Sequence, residues 1–304
     1  MRTGDAGAPV LLRQSGSTMS IDALIAKQNR DGGWPYVRGA SWTEPTVYAI
    51  MAILPAGETV SARRGLDWLA STARPDGGWP PRAEVDESSW VTGLVALLDP
   101  QHLGEARHKR AIDWLLETTG EETTRVFRLR EFLLGNSTPM SDPRYPAWPW
   151  LPGTAAWVGP TSVAILALEK QFRRHPSPEI RHRIDAGRHF LLDRACDEGG
   201  WNHGAPCPLG YPAPPYPETT GLALAALQGV RAPQVERGLN AAQQFLAECR
   251  SADALNWLRF GLRVHGRLPA GYCTPLEVTY RTIPETSMDL LMTAAEQGTD
   301  TFWG

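Results

Sequence analysis

Apolar residues fall into two patterns along this chain, and the alternation of those patterns predicts its architecture. The segments Val47-Tyr48-Ala49-Ile50-Met51-Ala52-Ile53-Leu54, Val163-Ala164-Ile165-Leu166-Ala167-Leu168 and Leu222 to Leu227 are apolar nearly all round. Helices of that kind are buried on every side. Elsewhere the apolar positions make a single stripe. Ala62, Leu66 and Leu69 oppose Arg63, Arg64 and Asp67, and Ile180, Ile184, Phe190 and Leu191 oppose Arg181, Arg183 and Asp185. Such helices cover a core and face water on the other side. Buried helices are expected to start near residues 44, 88, 122, 160, 218, 253 and 285. Amphipathic helices are expected over 19–28, 61–72, 105–118, 179–194 and 234–249. Strand signals are nearly absent.

A phrase joins the two kinds of helix. Asp31-Gly32-Gly33-Trp34 precedes Glu44-Pro45-Thr46, and Asp76-Gly77-Gly78-Trp79 precedes Asp86-Glu87-Ser88. Glu198-Gly199-Gly200-Trp201 precedes Pro217-Glu218-Thr219-Thr220. Gly159-Pro160-Thr161-Ser162 and Pro284-Glu285-Thr286-Ser287 keep only the second half. One such unit cannot bury its own apolar face, so neighbouring units must stack. The fold class expected is all-α, an α/α toroid of about 10–12 helices in inner and outer rings. The expected organisation is a frayed tail over residues 1–17 and a single repeat domain over 18–304. Two long loops interrupt it, Gly135 to Trp157 and His265 to Thr282; the first carries Tyr145, Trp148, Trp150 and several prolines and is expected to be ordered.

Composition narrows the partners. The formal charge is −3, and no basic stripe is present, so nucleic acid is not an expected partner. Hydrophobic residues make up 42% of the chain, enough for a large core. Positive charge is almost all Arg, with Lys only at 27, 109 and 170. Four cysteines without CxxC spacing do not make a disulfide scaffold. Neither a signal peptide nor a membrane-spanning run is visible, so a cytoplasmic location is expected, with peripheral membrane contact and oligomeric state left open.

The Gly-Gly-Trp phrase also carries a resemblance. Gln28-Asn29-Arg30-Asp31-Gly32-Gly33-Trp34 fits the Gln-x(2–5)-Gly-x-Trp core of the repeats of squalene–hopene cyclases and related terpene cyclases. Arg64-Gly65-Leu66-Asp67-Trp68-Leu69 supplies the basic-Gly-aromatic-Leu opening of the fuller repeat, with Gly77 and Trp79 following at the right spacing and Ala73 in the Gln position. Gly187, Phe190, Leu191, Gly199 and Trp201 repeat that spacing, with Ala195 in the Gln position. From about residue 20 to 300 the chain resembles the prenyltransferase/squalene-cyclase repeat superfamily. The resemblance implies a single toroid, shorter than a two-barrel triterpene cyclase, with an apolar or isoprenoid molecule as its partner.

It also directs attention to particular residues. Class II terpene cyclases protonate an alkene with the middle aspartate of Asp-x-Asp-Asp. Glu84-Val85-Asp86-Glu87-Ser88 imitates that motif, which places Asp86 as candidate acid with Glu84 and Glu87 beside it. The same residues also suit an ordinary helix cap. Glu44, Glu218 and Glu285 sit in equivalent places and are candidate binding residues. Trp42, Trp90, Trp148, Trp150, Trp157 and Tyr216 fall in loops leading to inner helices, where aromatic faces could hold an isoprenoid or a carbocation. Bulky loop packing explains them as well. Cys196, Asp197, His203 and Cys207 form a cluster of zinc-ligand types at a spacing that fits no metal motif, so neither a metal nor another cofactor is expected. Three functions stay open: a cyclase- or transferase-like enzyme, a non-catalytic toroid binding a lipid or protein, and a polysaccharide-lyase-like enzyme.

Overall fold

The computed structural model describes residues 20–134, 145–204, 211–296 and 298. The expected tail over residues 1–17 and Cys207 lie outside the described residues. Six helices form the inner ring: α2 (Thr43–Ile53), α4 (Val91–Ala96), α8 (Val158–Arg174), α10 (Pro217–Ala226), α12 (Ala252–Val264) and α13 (Ile283–Glu296). Each packs on the next in that order, and α13 packs back on α2, so the ring closes. Outside it, α1 (Ile21–Ile25) rests on α13 and α2, α3 (Thr59–Thr72) on α2, and α6 (Glu105–Glu117) on α4. Next, α9 (Pro178–Asp193) covers α8, and α11 (Pro233–Glu248) sits against both α10 and α12. A short α5 (Pro100–Leu103) precedes α6. Among the described residues there is no strand, only two isolated bridges at the loop feet. The architecture is an α/α toroid.

Outer helices α3 and α9 start on side-chain caps. Glu58 accepts from the Ser61 amide at α3, and Ser177 from the Ile180 amide at α9, which also opens on Pro178. The inner helices are buried by composition, since α2 is buried from Pro45 through Ala52 and α8 from Val158 through Lys170.

The repeated phrase works as a two-sided clamp. Trp34, Trp79, Trp148 and Trp201 are each buried, and each indole N–H donates to a leucine carbonyl of the preceding outer helix, at Leu24, Leu69, Leu115 and Leu191. Each of their backbone amides donates to a threonine hydroxyl in the following inner helix, at Thr46, Thr92, Thr161 and Thr220. Asp31 and Asp76 close the turn by accepting from the Gly33 and Gly78 amides and from the Ser41 and Ser88 hydroxyls. Gly32 has φ +100°, and a Cβ there would lie 2.4 Å from the Arg64 carbonyl oxygen, so only glycine fits. Gln28 adds hydrogen bonds to the Gly32 and Ser61 carbonyls, tying α1 to α3.

Two expectations are corrected here. The helix near residue 122 is not an inner one. A 3-10 turn at Glu121–Thr123 leads into α7 (Arg125–Leu134), and since α4 packs directly on α8 the ring closes without it. Trp148 is a fourth clamp tryptophan, 2% exposed and covered by the Arg183 guanidinium, so it does not stand on a binding surface.

Candidate functional site

The inner helices all begin at one end of the ring, called the mouth below, and backbone bonds bind its rim together. Thr43 N–H donates to the Pro81 carbonyl, Trp90 to Trp150, Val158 to His203, and Ile283 to Tyr36, the last joining the end of the chain to its beginning. Two residues before the clamp threonine, four of the inner helices each place one residue at this rim. Those positions are Glu44 on α2, Trp90 on α4, Gly159 on α8 and Glu218 on α10. The corresponding first-turn positions of the last two helices are Asp253 on α12 and Glu285 on α13.

The mouth therefore has two halves. Around α10, α12, α13 and α2, which are consecutive in the ring, all four positions are acidic. Around α4 and α8 they give way to tryptophan: Trp90 packs edge-on against Trp150 with centroids 4.9 Å apart, and the Trp150 ring lies beside Gly159. Trp42 packs edge-on against Tyr36 at 5.5 Å with the Arg82 guanidinium over its face. Trp157 lies against Gly204, and Tyr216 stands 5.2 Å from His203. These rim aromatics are partly or largely exposed, unlike the clamp tryptophans.

The four carboxylates differ in their surroundings. The Tyr36 hydroxyl donates to Glu44. Burial pushes the Glu44 carboxyl up to about 7; the Tyr36 bond opposes that shift and the charge of Asp253 adds to it. Burial also pushes Asp253 up to about 6, helped by the charges of Glu218 and Glu285. Tyr36 and Tyr48 are held above the ordinary phenol range by burial and by Glu44 and Asp253. Although α13 lies between α2 and α12, Asp253 is near enough for its charge to raise both Glu44 and Tyr48. Glu218 faces His203, with Nε2 to Oε1 at 3.7 Å. Glu285 forms a capping box: its carboxylate accepts from the Thr282 amide at 2.9 Å while Thr282 Oγ1 accepts from the Glu285 amide at 3.2 Å.

The motif-like segment does not join this group. Asp86 has a side chain 96% exposed and paired with Arg74 at 2.6 Å, Glu84 stands 3.6 Å from Arg82, and Glu87 is exposed. Of the two readings of Asp86, candidate acid or helix cap, the structure shows neither contact: its carboxylate pairs with Arg74 in solvent, and α4 starts at Trp90 without a side-chain cap. An exposed pair of this kind contributes little, so Asp86→Asn is expected to change stability by less than about 1 kcal/mol and to leave any activity unchanged. Thermal unfolding and a turnover assay on the same variant check both.

Cys196 is buried and His203 stands on the rim; among the described residues no three His, Cys, Asp or Glu side chains gather as metal ligands. A recess of about 390 Å³ lined by Arg263, Leu268, Tyr272 and Glu296 lies at the opposite end of α12 and α13, away from the carboxyl groups.

Asp253 was missed because Ser251-Ala252-Asp253 carries none of the repeat phrase. Its position at the predicted start of an inner helix was the available signal.

Comparison with known proteins agrees with the fold. No protein-family model matches the chain. A stretch of 44 residues is 48% identical to squalene–hopene cyclase of Alicyclobacillus acidocaldarius, covering 14% of this chain and 7% of that enzyme. A stretch of 85 residues is 36% identical to drimenyl diphosphate synthase of Streptantibioticus cattleyicolor, covering 27% of this chain and 16% of that enzyme. Both similarities thus span a small part of the relatives. Among solved structures, type II terpene cyclase MstE from Scytonema superposes with a TM-score of 0.50 at 17% identity, over 89% of this chain and 76% of that one. Endo-β-1,4-glucanase CMCax from Acetobacter xylinum superposes with a TM-score of 0.56 at 13% identity, over 91% and 99%.

Rings of this kind are thus a scaffold shared by unrelated chemistries. The chain is an α/α toroid in fold, and over short stretches it is similar to two terpenoid-forming enzymes.

Proposed function

We propose that the chain is a terpene-cyclase-like enzyme that protonates an alkene of an apolar isoprenoid at the mouth of the toroid, with Glu44 as the acid. The observation that carries this reading is the Glu44 carboxyl at the mouth, bonded to the Tyr36 hydroxyl whose ring packs on Trp42, with burial pushing the carboxyl up to about 7. An alkene is a very weak base, so its proton donor must be neutral and screened from water. The Glu44 O–H bond breaks, the proton forms a C–H bond with the alkene π pair, and the adjacent carbon becomes a cation. Trp42, Trp90 and Trp150 supply the aromatic faces that stabilise such a cation. Loss of a proton from the cyclised product ends the reaction, and Asp253, ionised above about pH 6, is the nearby base. Acid and base are then both in their working states between about pH 6 and 7, so a bell-shaped rate profile with its maximum there is expected.

Beside the protonated Glu44, the carboxylates of Glu218, Glu285 and, above about pH 6, Asp253 also bear on the substrate. They disfavour a diphosphate group entering beside them, which favours an uncharged polyprenyl chain and weighs against a prenyl transfer from a diphosphate donor. The test is to incubate the protein with uncharged polyprenyl compounds, with polyprenyl diphosphates and with β-1,4-linked oligosaccharides. Cyclised product from the uncharged set supports the reading. Hydrolysis of the glucan alone would replace it with a carbohydrate enzyme. Stoichiometric binding of an isoprenoid without turnover would make the chain a non-catalytic lipid-binding toroid.

A further inference from the structure

Beneath the carboxyl groups of the mouth lies a second layer of polar side chains, one helical turn deeper in the ring. On α12, Asn256 follows Asp253 by three residues, and on α2, Tyr48 follows Glu44 by four, so each shares a face with the acid above it. Both are buried, Asn256 to 1% exposed and Tyr48 to 3%. Asp253 is near enough to Tyr48 for its charge to act on the phenol, although the two stand on different helices.

Neither side chain uses its full bonding capacity. Asn256 Nδ2 donates at 2.8 Å to the carbonyl of Glu285, in the first turn of α13, which packs against both α12 and α2. That bond fixes the two arms of the amide, because only the nitrogen has a proton to offer a carbonyl. Oδ1 is left buried and accepts nothing among the described residues. A buried amide oxygen without a donor is costly and calls for an explanation. The Tyr48 hydroxyl likewise makes no hydrogen bond among the described residues, although a buried tyrosine usually finds a partner. By contrast, the Tyr36 hydroxyl is committed to Glu44, and the Glu285 carboxylate to the amides of Arg281 and Thr282.

These two unused groups restrict what completes them. Asn256 Oδ1 requires a donor, which an ether, a hydrocarbon or a diphosphate does not offer. An ammonium group donates, but its charge beside Glu44 would hold that carboxyl ionised and remove the proposed acid. A hydroxyl donates to Asn256 and accepts from Tyr48 through one oxygen, and it brings no charge.

We propose that the isoprenoid substrate carries a hydroxyl group, which seats between Asn256 and Tyr48, donating to the amide oxygen and accepting from the phenol. This inference rests on the proposed function for the apolar remainder of the molecule, and names the polar group of that same substrate. Asn256 and Tyr48 select and hold it; neither moves a proton to the alkene. A site built around a hydroxyl rejects an analogue lacking its donor far more strongly than an apolar pocket rejects a change in size.

The experiment measures binding of farnesol and geranylgeraniol to the full chain, each beside its methyl ether, through the change in tryptophan fluorescence. The wild type should bind the alcohols at least about tenfold more tightly than the ethers, because an ether leaves Asn256 Oδ1 without a donor. Asn256→Leu, similar in size, should weaken the alcohol to the level of the ether and so abolish the preference. Tyr48→Phe, which loses only a hydroxyl, should weaken alcohol and ether alike and keep it. Leucine removes an orphaned oxygen together with one bond to Glu285, so Asn256→Leu should melt within about 3 °C of wild type. A variant that melts well below that and keeps the alcohol preference would mark Asn256 as a tie between α12 and α13, and overturn the proposal. So would a wild type that binds alcohol and ether equally or binds neither, since a trapped water then fills the gap, and so would a Tyr48→Phe protein that binds both like wild type. Binding is read without turnover. A wild type that prefers the alcohol but forms no cyclised product supports this inference and removes Glu44 as the acid, whereas cyclisation of the ethers as readily as the alcohols does the reverse.

Discussion

Glu44→Gln is expected to abolish cyclisation of any isoprenoid that the wild type turns over, by a factor of about 10² to 10⁴. Glutamine keeps the size of the side chain and can still accept from the Tyr36 hydroxyl, but it has no acidic proton to give. The same variant carries a stability signature that does not depend on knowing the substrate. The folded chain holds a proton on Glu44 up to about pH 7, whereas the unfolded chain releases it near 4.5. Through that window the folded state binds more protons, so stability falls as pH rises. The contribution is fully present below 4.5 and gone above about 7, and it amounts to the order of 2 kcal/mol for a carboxyl that retains some contact with solvent. Melting curves between pH 4 and 8 should slope downward in the wild type and flatten in Glu44→Gln. Asp253 leaves a smaller slope of the same sign, ending near pH 6. Equal turnover by the two proteins would remove Glu44 from the acid role. Identical pH slopes would mean that its carboxyl is not protonated in the folded state.

How much of this was legible depended on whether a physical constraint left a mark in the local sequence. The ring was legible because each clamp sets a tryptophan close to an inner helix, and three copies announce it with a tight glycine pair, two of them preceded by the turn-closing aspartate. Trp148 escaped because it lacks the glycine pair, yet its distance from its threonine was informative: Trp148 to Thr161 spans 13 residues, as Trp79 to Thr92 does. Glu285 was legible in position, and the Thr-x-x-Glu spacing from Thr282 also spelled out its capping role. Helix α7 was misread because an apolar stripe looks the same in sequence whether it meets a core or faces outward. What separates the cases is an amphipathic helix to cover it, and the sequence pattern offers none between residues 118 and 179. Asp86 shows the converse. The segment imitates a catalytic motif, but Arg74 turns the side chain into solvent, while the mouth acids come from helix starts that carry no motif.

The largest effect on stability is expected from Gly221→Ala, because α10 and α12 touch backbone to backbone. A Cβ on Gly221 would lie 2.3 Å from the Trp257 carbonyl carbon and 2.4 Å from the Leu258 nitrogen, and one on Gly261 would lie 2.4 Å from the Gly221 carbonyl oxygen. No flexible side-chain end is available to move aside, so the helices themselves must separate. Alanine gains up to about 1 kcal/mol of helix propensity over glycine, but forcing apart two tightly packed helices costs about 3 kcal/mol or more. The net loss should lower the melting temperature by roughly 5 °C. Gly93→Ala is the control: it is also a glycine on an inner helix, but its Cβ meets the tip of Val163 at 3.0 Å, a side chain that can shift, and its cost should be well under half as large. Gly221→Ala and Gly261→Ala should not add, since once the first has spread the helices the second fits into the gap. The consequence reaches the mouth, because α10 and α12 carry Glu218 and Asp253 in their first turns. Spreading the pair moves those charges away from Glu44, so the melting slope between pH 4.5 and 7 should weaken in Gly221→Ala even with every carboxylate in place. A Gly221→Ala protein that melts within about 1 °C of wild type would show that the ring tolerates a gap at this contact, and that the acidic half of the mouth is not held in register by it.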